Sequence, residues 1–152
     1  MILFCDTNII TEFLEKRLQF DAVAKILALP QNEYVLYISE GSFYTITFLV
    51  DRLLRKMQIY NPERLEKERK TLLRIISTFH ISTASREGLI RGVLDEKFND
   101  LEDSYQFQAA LNCHADCLLT INIKDFKNAD TENLKIMTPQ DFVASYLDIC
   151  DR

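Results

Sequence analysis

The sequence predicts an α/β fold in which a central parallel sheet of four to five strands lies between layers of helices. Apolar runs without alternation, typical of strands covered on both faces, are separated by segments with apolar residues at helical spacing. Only 3 glycines and 3 prolines interrupt the 152 residues. Strands that alternate with helices are parallel and joined by helical crossovers. Since no linker divides the chain, we expect a single domain over residues 1–152.

Five short apolar runs are the predicted strands. The first is followed directly by Asp6, Thr7 and Asn8, whose side chains can cap a helix. The third is the weakest, because it is brief and contains His80. The runs are residues 2–5, 34–38, 79–82, 117–121 and 134–137.

Helical patterns fill the intervals between the runs. Ser39 offers an N-cap for a long helix, and Asn61 before Pro62 is a favoured cap-then-proline start for the next. Asp100 is the expected N-cap of a later helix, and Pro139 begins the closing one. On the third helix the residues expected to be buried are Phe43, Ile46, Val50, Leu53 and Met57. On the fourth they are Leu65, Leu72, Leu73 and Ile76, and on the fifth they are Leu89, Ile90, Val93 and Leu94.

Composition excludes several classes of protein. No apolar run approaches the roughly 18 residues that span a bilayer, and Asp6 leaves no room for the apolar part of a signal peptide. Three glycines exclude a dinucleotide-binding loop. Cys113, His114 and Cys117 are too few for a closed zinc site. We expect a cytoplasmic protein without a membrane partner, whose unpaired cysteines suit a reducing compartment: Cys5, Cys113, Cys117 and Cys150.

Acidic residues follow the predicted strands at the points where the strands end. Asp6 leaves the first strand, Glu40 leaves the second, and Asp125 follows the fourth. Asp100 and Asp103 begin the helix that leads into the fourth strand. In a right-handed β/α chain these positions lie at one edge of the sheet. Carboxylates gathered without cations repel one another, so the pattern predicts a site for Mg²⁺ or Mn²⁺.

The chemistry typical of such a site is phosphodiester hydrolysis. A divalent ion lowers the pKa of an attacking water and stabilises charge on the phosphate. Ordinary interpretations remain open for single residues, because Asp6 could equally cap a helix and Asp100 suits a cap better than a ligand. The convergence of the set is therefore a stronger indication than any one member.

Three segments resemble the motifs of PIN-domain proteins. Residues 1–10 (MILFCDTNII) are similar to the opening of that family, and residues 99–106 (NDLEDSYQ) to its second acidic motif. Residues 115–126 (ADCLLTINIKDF) are similar to the strand and turn that complete its site. The resemblance implies a three-layer α/β/α fold, a Mg²⁺ or Mn²⁺ site, and cleavage of an RNA substrate. It further implies a VapC-like toxin that is paired with a protein antitoxin.

The resemblance also implies roles for individual residues. Asp6 and Asp103 become the metal ligands, and either Asn122 or Asp125 supplies a further position. The candidate catalytic residues are Asp6, Glu40, Asp103 and Asp125, with Asn8, Thr45, Asp100 and Asn122 in supporting roles.

One position departs from the family pattern. The family usually carries a glutamate where this chain has Thr45. Glu40 lies five residues earlier, about 7.5 Å along a helix and roughly 140° around it, so it does not simply replace that glutamate. Either Glu40 reaches the site from the first turn, or Thr45 holds a metal-bound water. The alternative function is a weakened module that binds RNA or a protein without cutting. Glu12 is expected to be a solvated surface residue.

Two further surfaces are candidates for partners. Residues 52–74 contain eight basic and three acidic residues, although the net charge of the chain is −5. Arg52, Arg55 and Lys56 lack i,i+4 acidic partners in the predicted pattern, so we expect them to bind nucleic-acid phosphates, with a solvated surface as the alternative. The apolar stripe over residues 43–57 exceeds what one core face needs, and it predicts a homodimer seam or a groove for an antitoxin helix.

Overall fold

Five strands form the central sheet. In the computed structural model, which describes residues 1–129 and 131–148, they are β1 (Ile2–Cys5), β2 (Val35–Ser39), β3 (His80–Ser82), β4 (Cys117–Leu119) and β5 (Lys135–Met137). Their order is β3-β2-β1-β4-β5, and every neighbouring pair is parallel. The predicted parallel sheet is therefore confirmed, with its fifth strand. Cys150 lies outside the described residues.

Helices connect successive strands and continue the chain after β5. In the described ranges the α-helices are α1 (Thr7–Leu14), α2 (Phe20–Leu27), α3 (Glu40–Lys56), α4 (Glu63–Thr78), α5 (Arg86–Leu94), α6 (Leu101–Asn112) and α7 (Pro139–Phe142). A 3-10 turn covers Ile123–Phe126, and a π-helical turn, Val143–Leu147, extends α7. None of the helices described here has both the length and the apolar character needed to cross a bilayer.

Each face of the sheet has its own apolar core. In β1, Leu3 and Cys5 face one core, which includes side chains of α1, α2 and α3. Phe4, between them, faces the other core with Phe107 of α6 and Phe126. Since successive side chains of a strand point to opposite faces, the three residues place helices on both sides of the sheet. The structure is the predicted three-layer α/β/α sandwich.

The expected caps are correct at two helix starts and wrong at a third. The Ser39 hydroxyl accepts a hydrogen bond from Ser42 N at 2.9 Å, and Asp100 Oδ1 accepts one from Glu102 N at 2.8 Å. At α4 the N-cap position belongs to Pro62 itself, which makes no side-chain cap. Asn61, the predicted cap, therefore precedes the helix boundary.

The buried face of α5 is the reverse of the prediction. Leu89, Ile90, Val93 and Leu94 are exposed, whereas Gly88 and Gly92 are buried. A Cβ at Gly92 would lie 2.8 Å from the Tyr105 ring, and the Gly92 carbonyl accepts from Ser104 Oγ at 2.8 Å. The close approach of α5 to α6 requires the glycine face to point inward, which leaves the leucine side outside.

Helices α3 and α4 also expose part of their apolar residues. On α4, Ile75 is buried, while Leu65, Leu73 and Ile76 are exposed, contrary to the prediction. On α3, Ile46, Val50 and Leu54 enter the core, while Tyr44 and Phe48 remain exposed. Met57, at the C-cap of α3, is also exposed, contrary to the prediction. The apolar stripe of α3 is thus wider than its core contact, as the sequence indicated.

Candidate active site

Asp6 lies at the junction of β1 and α1. Its N–H donates to the Leu119 carbonyl at 3.0 Å, but its carboxylate makes no capping hydrogen bond. Oδ2 instead accepts from Asn8 Nδ2 at 2.6 Å and from Thr120 Oγ1 at 2.8 Å. Burial raises the pKa of the Asp6 carboxyl, and these hydrogen bonds oppose the rise. Asp6 therefore occupies the N-cap position of α1, but its side chain does not cap the helix.

Asn8 and Thr120 fasten the start of α1 to the end of β4. Asn8 Nδ2 also donates to Thr120 Oγ1 at 3.0 Å, and Asn8 Oδ1 accepts from Ile121 N at 3.2 Å. Thr120 is fully buried and accepts a further bond from Asn122 N at 3.1 Å. The order of the strands reverses between β1 and β4, where parallel sheets bind ligands in the crevice beyond the strand ends.

Asp103 lies in the first turn of α6 and is partly exposed. The pKa of its carboxyl is raised to about 7, chiefly by burial and in addition by the charges of Asp6, Asp125, Asp100 and Glu102. None of these five carboxylates is in an ion pair among residues 1–129 and 131–148. The structure thus brings acidic side chains from three segments of the chain within electrostatic reach of one another, without a basic side chain to balance them.

The other candidates at this edge differ in position. Asp100 is the N-cap of α6, so the capping interpretation describes what it does in the structure. Asp125 is exposed on the 3-10 turn that follows β4. Asn122 is the exposed residue before that turn, and its side chain makes no cap. Asp125 is therefore the member of this group whose charge reaches Asp103 from the β4 side.

Glu40 and Thr45 occupy exposed positions on α3. Glu40 Oε1 accepts a hydrogen bond from Tyr44 OH at 3.1 Å, which raises the pKa of the Tyr44 phenol. Glu40 is not among the charges that raise the pKa of Asp6 or Asp103. Thr45 lines a cavity together with Glu102 of α6. The structure therefore places α3 beside the acidic group, with its one glutamate turned to a neighbouring tyrosine.

A buried polar network lies beneath the acidic group. Ser42 Oγ lies 2.8 Å from Thr7 Oγ1 and 2.9 Å from Ser39 Oγ. Gln106 Nε2 donates to Ser42 Oγ at 2.9 Å and to Thr7 Oγ1 at 3.2 Å. Thr7 directly follows Asp6, and Gln106 is one turn after Asp103. The network therefore fixes the starts of α1, α3 and α6 relative to one another.

The donor set fits a hydrated divalent cation. Within the described ranges, no three His, Cys, Asp or Glu side chains are arranged to hold an ion. Mg²⁺, however, keeps several waters and is commonly held by one or two carboxylates together with substrate phosphates. Asp6 and Asp103 are hard oxygen donors with raised pKa values, so a cation between them would relieve their repulsion.

Comparison with protein families decides where the chain belongs. A model of the PIN domain matches residues 3–124, which include Asp6, Asn8 and Asp103. The chain belongs to the PIN domain family. The match ends one residue before Asp125. A search of curated proteins finds no significant match.

Solved structures share the fold of this PIN domain. The VapBC2 structure from Rickettsia felis, bound to a promoter DNA fragment, matches with a TM-score of 0.64 and 22% identity over 91% of this chain and 98% of that one. A toxin-antitoxin complex from Klebsiella pneumoniae matches with a TM-score of 0.60 and 25% identity over 91% and 98%. The FitAcB structure from Neisseria gonorrhoeae matches with a TM-score of 0.69 and 19% identity over 92% and 99%.

The three basic residues predicted to bind phosphates lie at the C-terminal end of α3, away from the helix start that adjoins the acidic edge. Arg52 comes twelve residues after Glu40, about 18 Å along α3. Arg55 Nε lies 2.7 Å from Asp51 Oδ2, so the expectation that Arg55 has no i,i+4 partner is wrong. The Arg52 guanidinium lies 5.9 Å from the centre of the Phe48 ring, and Lys56 is exposed. On α4, Glu63 and Lys67 form an i,i+4 ion pair.

Sequence patterns missed several residues that shape the PIN-domain site. Thr120 and Gln106 carry hydrogen bonds that single-residue patterns do not show, although Thr120 lies within the predicted fourth strand, residues 117–121, near the site edge. Glu12, expected in solvent, is buried and accepts from Gln19 N at 2.9 Å. It thereby holds the turn between α1 and α2, which the helical spacing gave no reason to expect.

Proposed function

We propose that this PIN-domain protein is a divalent-metal-dependent endoribonuclease that hydrolyses RNA phosphodiester bonds. The observation that carries the proposal is the cluster of uncompensated carboxylates around Asp103, whose pKa they help to raise to about 7. Such a cluster at the crevice between β1 and β4 suits Mg²⁺ or Mn²⁺ and a phosphate. Membership of the PIN family supports the same reading.

Each residue of the site has a distinct part in the proposed reaction. Asp6 and Asp103 would hold the cation, and Asn8 and Thr120 orient the Asp6 carboxylate through their hydrogen bonds. Asp125, exposed on the 3-10 turn after β4, would accept a proton from the attacking water. When bound, the ion would supply a more acidic water and charge stabilisation at the phosphate.

A protein antitoxin is the proposed partner. The structural neighbours include a complex of toxin and antitoxin from Klebsiella pneumoniae, which supports a toxin role for this chain as well. The exposed apolar residues of α3 and α5, among them Tyr44, Phe48 and Leu94, offer a surface for a homodimer or for an antitoxin helix. We infer a cytoplasmic location, with which the free thiols of Cys5, Cys113 and Cys117 agree.

The second candidate function is binding without cleavage. Thr45 stands where the family pattern expects a glutamate, and the carboxylate of Glu40 is bonded to Tyr44. Only two carboxylates would then hold the ion. A module with so weak a site would bind RNA or a partner and leave the phosphodiester intact.

Cleavage of a mixed RNA pool by the full chain in Mn²⁺ separates the two functions. The nuclease proposal expects RNA fragments in Mn²⁺, none in EDTA, and none with Asp6→Asn. Asp21→Asn, on the exposed first turn of α2, is the matched control and should cut like the native chain. Retention of RNA without cleavage would favour the binding module, and equal cutting by Asp6→Asn would rule out this site.

A further inference from the structure

A cavity of about 430 Å³ opens beside the acidic cluster, between α3 and α6. Pockets for small ligands commonly measure about 300–1,000 Å³. Glu40 and Tyr44 line it from α3, and Glu102 and Tyr105 line it from α6. The proposed cleavage chemistry does not require a cavity of this size.

The cavity adjoins the residues that are proposed to act on the phosphate. Glu102 precedes Asp103 in the sequence, and its charge contributes to the raised pKa of both Asp6 and Asp103. Gln106 is also part of the cavity lining, and its Nε2 donates to Thr7, the residue after Asp6. The cavity and the acidic cluster therefore share a wall formed by the start of α6.

The groups in the cavity determine which chemistry it can accept. Glu40 and Glu102 are hydrogen-bond acceptors when ionised, and they repel phosphate. Tyr44 and Tyr105 offer aromatic rings, on which bases of single-stranded RNA stack. Tyr44 is 65% exposed, and its hydroxyl donates a hydrogen bond to Glu40 Oε1 at 3.1 Å. A planar ligand with N–H donors satisfies both kinds of group.

We propose that this cavity is a base pocket that binds one nucleobase beside the cleaved phosphodiester and selects guanine. The proposal rests on the nuclease function, because a strand held by its phosphate at the acidic edge brings a neighbouring base to the cavity. Guanine presents adjacent N1–H and N2–H donors that match the two oxygens of one carboxylate. Uracil has a single N3–H donor between two carbonyl oxygens, and these oxygens would be repelled by the same carboxylates.

Mapping of cut sites in a mixed single-stranded RNA pool, with the full chain and Mn²⁺, tests the base pocket. We expect guanosine next to the cut to be enriched by about tenfold, the scale of one good base contact. Glu102→Gln replaces one acceptor oxygen by a donor and should abolish the enrichment. Glu87→Gln, at an exposed position on α5 outside the cavity, is the control and should keep it.

Gly41→Leu tests the same pocket by filling it. Gly41 lines the cavity, and a Cβ there would meet only Ser39 Oγ, at the ordinary distance of 3.7 Å. A leucine side chain would enter the cavity while every polar group remains in place. Loss of guanosine enrichment in both Gly41→Leu and Glu102→Gln supports the base pocket. Cleavage without base preference, or a preference that survives both substitutions, overturns it and leaves the nuclease proposal intact.

A binding measurement covers the case in which the native chain does not cut RNA. That result would contradict the nuclease proposal, and saturation-transfer NMR with guanosine and uridine monophosphates would then decide the base pocket. The base pocket is supported if the native chain binds the guanine nucleotide and Glu102→Gln weakens that binding about tenfold. Absence of binding, or equal binding of both nucleotides, overturns the base pocket. Arginine amide is tested as a third ligand, and a preference for it would also overturn the base pocket, in favour of a basic side chain from a partner protein.

Discussion

Asn8 holds the carboxylate of Asp6 from the helix that Asp6 itself begins, with 2.6 Å between Asn8 Nδ2 and Asp6 Oδ2. The other polar atom of the same side chain, Asn8 Oδ1, accepts a hydrogen bond from Ile121 N, just beyond β4, at 3.2 Å. The Asp6 carboxylate is thereby directed toward Asn8 and Thr120, and it makes no side-chain cap on α1. Its position follows from contacts with α1 and with the residues that follow β4, which makes the site sensitive to residues that would touch neither metal nor RNA.

Substitution of Asn8 by alanine should weaken divalent binding. Residues that orient a metal ligand typically contribute about 10–100-fold to affinity. Mn²⁺ titration by calorimetry, with Asn112→Ala as the control, measures the effect, because Asn112 bonds to Thr83 at the opposite end of α6. Equal affinities in native protein and Asn8→Ala would show that Asp6 needs no orienting partner.

Thr120→Val should destabilise the fold by about 1–3 kcal/mol. The change keeps the shape but removes the hydroxyl that bonds to Asp6, Asn8 and Asn122 N in a fully buried position. Urea unfolding gives the free energy. Thr11→Val, which loses a single bond to the Thr7 carbonyl, is the matched control and should cost no more than about 1 kcal/mol. Similar losses for both variants would contradict a special role for Thr120.

Asp6→Asn and Asp103→Asn should each lower Mn²⁺ affinity, because a charge is removed from the proposed ligand pair. In metal-free buffer at pH 8, Asp103→Asn should raise the thermal midpoint, since repulsion from the neighbouring carboxylates is relieved. A calorimetric titration and a melting curve in EDTA provide the two readings. Unchanged Mn²⁺ affinity in both variants would defeat the ligand assignment.

The stability of the metal-free protein should fall as pH rises from about 4 to 7. The pKa of Asp103 is raised from its ordinary value of 3.8 to about 7, so in this window the unfolded chain loses a proton that the folded protein keeps. The folded state binds more protons, and stability then decreases with pH. Urea midpoints measured in EDTA at several pH values should show a shallower slope for Asp103→Asn. An identical slope in the native protein and in Asp103→Asn would mean that a group other than Asp103 causes the pH dependence.

Thr45→Glu should strengthen Mn²⁺ binding and increase RNA cleavage, because it adds a carboxylate on the α3 side of the acidic cluster. Glu40→Gln is measured beside it. Lower RNA cleavage in Glu40→Gln would mean that Glu40 already takes part in the site from the first turn of α3. Affinity and cleavage are measured for both. If neither substitution changes either quantity, α3 takes no part in the site.

Much of the fold follows from local patterns. The strands were predictable because residues covered on both faces form unbroken apolar runs, and the site edge was predictable because parallel strands end on the same side. Asp6 and Asp103 come from separate motifs, but the topology alone is enough to bring them near each other.

The errors have physical reasons in particular residues. On α5, apolar spacing marked Leu89 and Leu94 as core, yet the close approach of Gly92 to Tyr105 decides which face is inside. Glu12 is buried because it satisfies the Gln19 amide in a turn, a contact between residues with no periodic relation. Thr120 and Gln106 act through long-range hydrogen bonds, and such partners are set by the tertiary arrangement.

The buried network of Thr7, Ser42 and Gln106 has an evolutionary consequence. It sets the spacing of α1, α3 and α6 from below, whereas Thr45 lies on the exposed surface of α3. Under the proposed nuclease function, substitutions at position 45 would therefore alter catalytic strength while the framework that aligns Asp6 with Asp103 stays intact. If the proposed nuclease function holds, selection on activity can act at that position separately from selection on folding, so cleavage could be attenuated without loss of the folded protein.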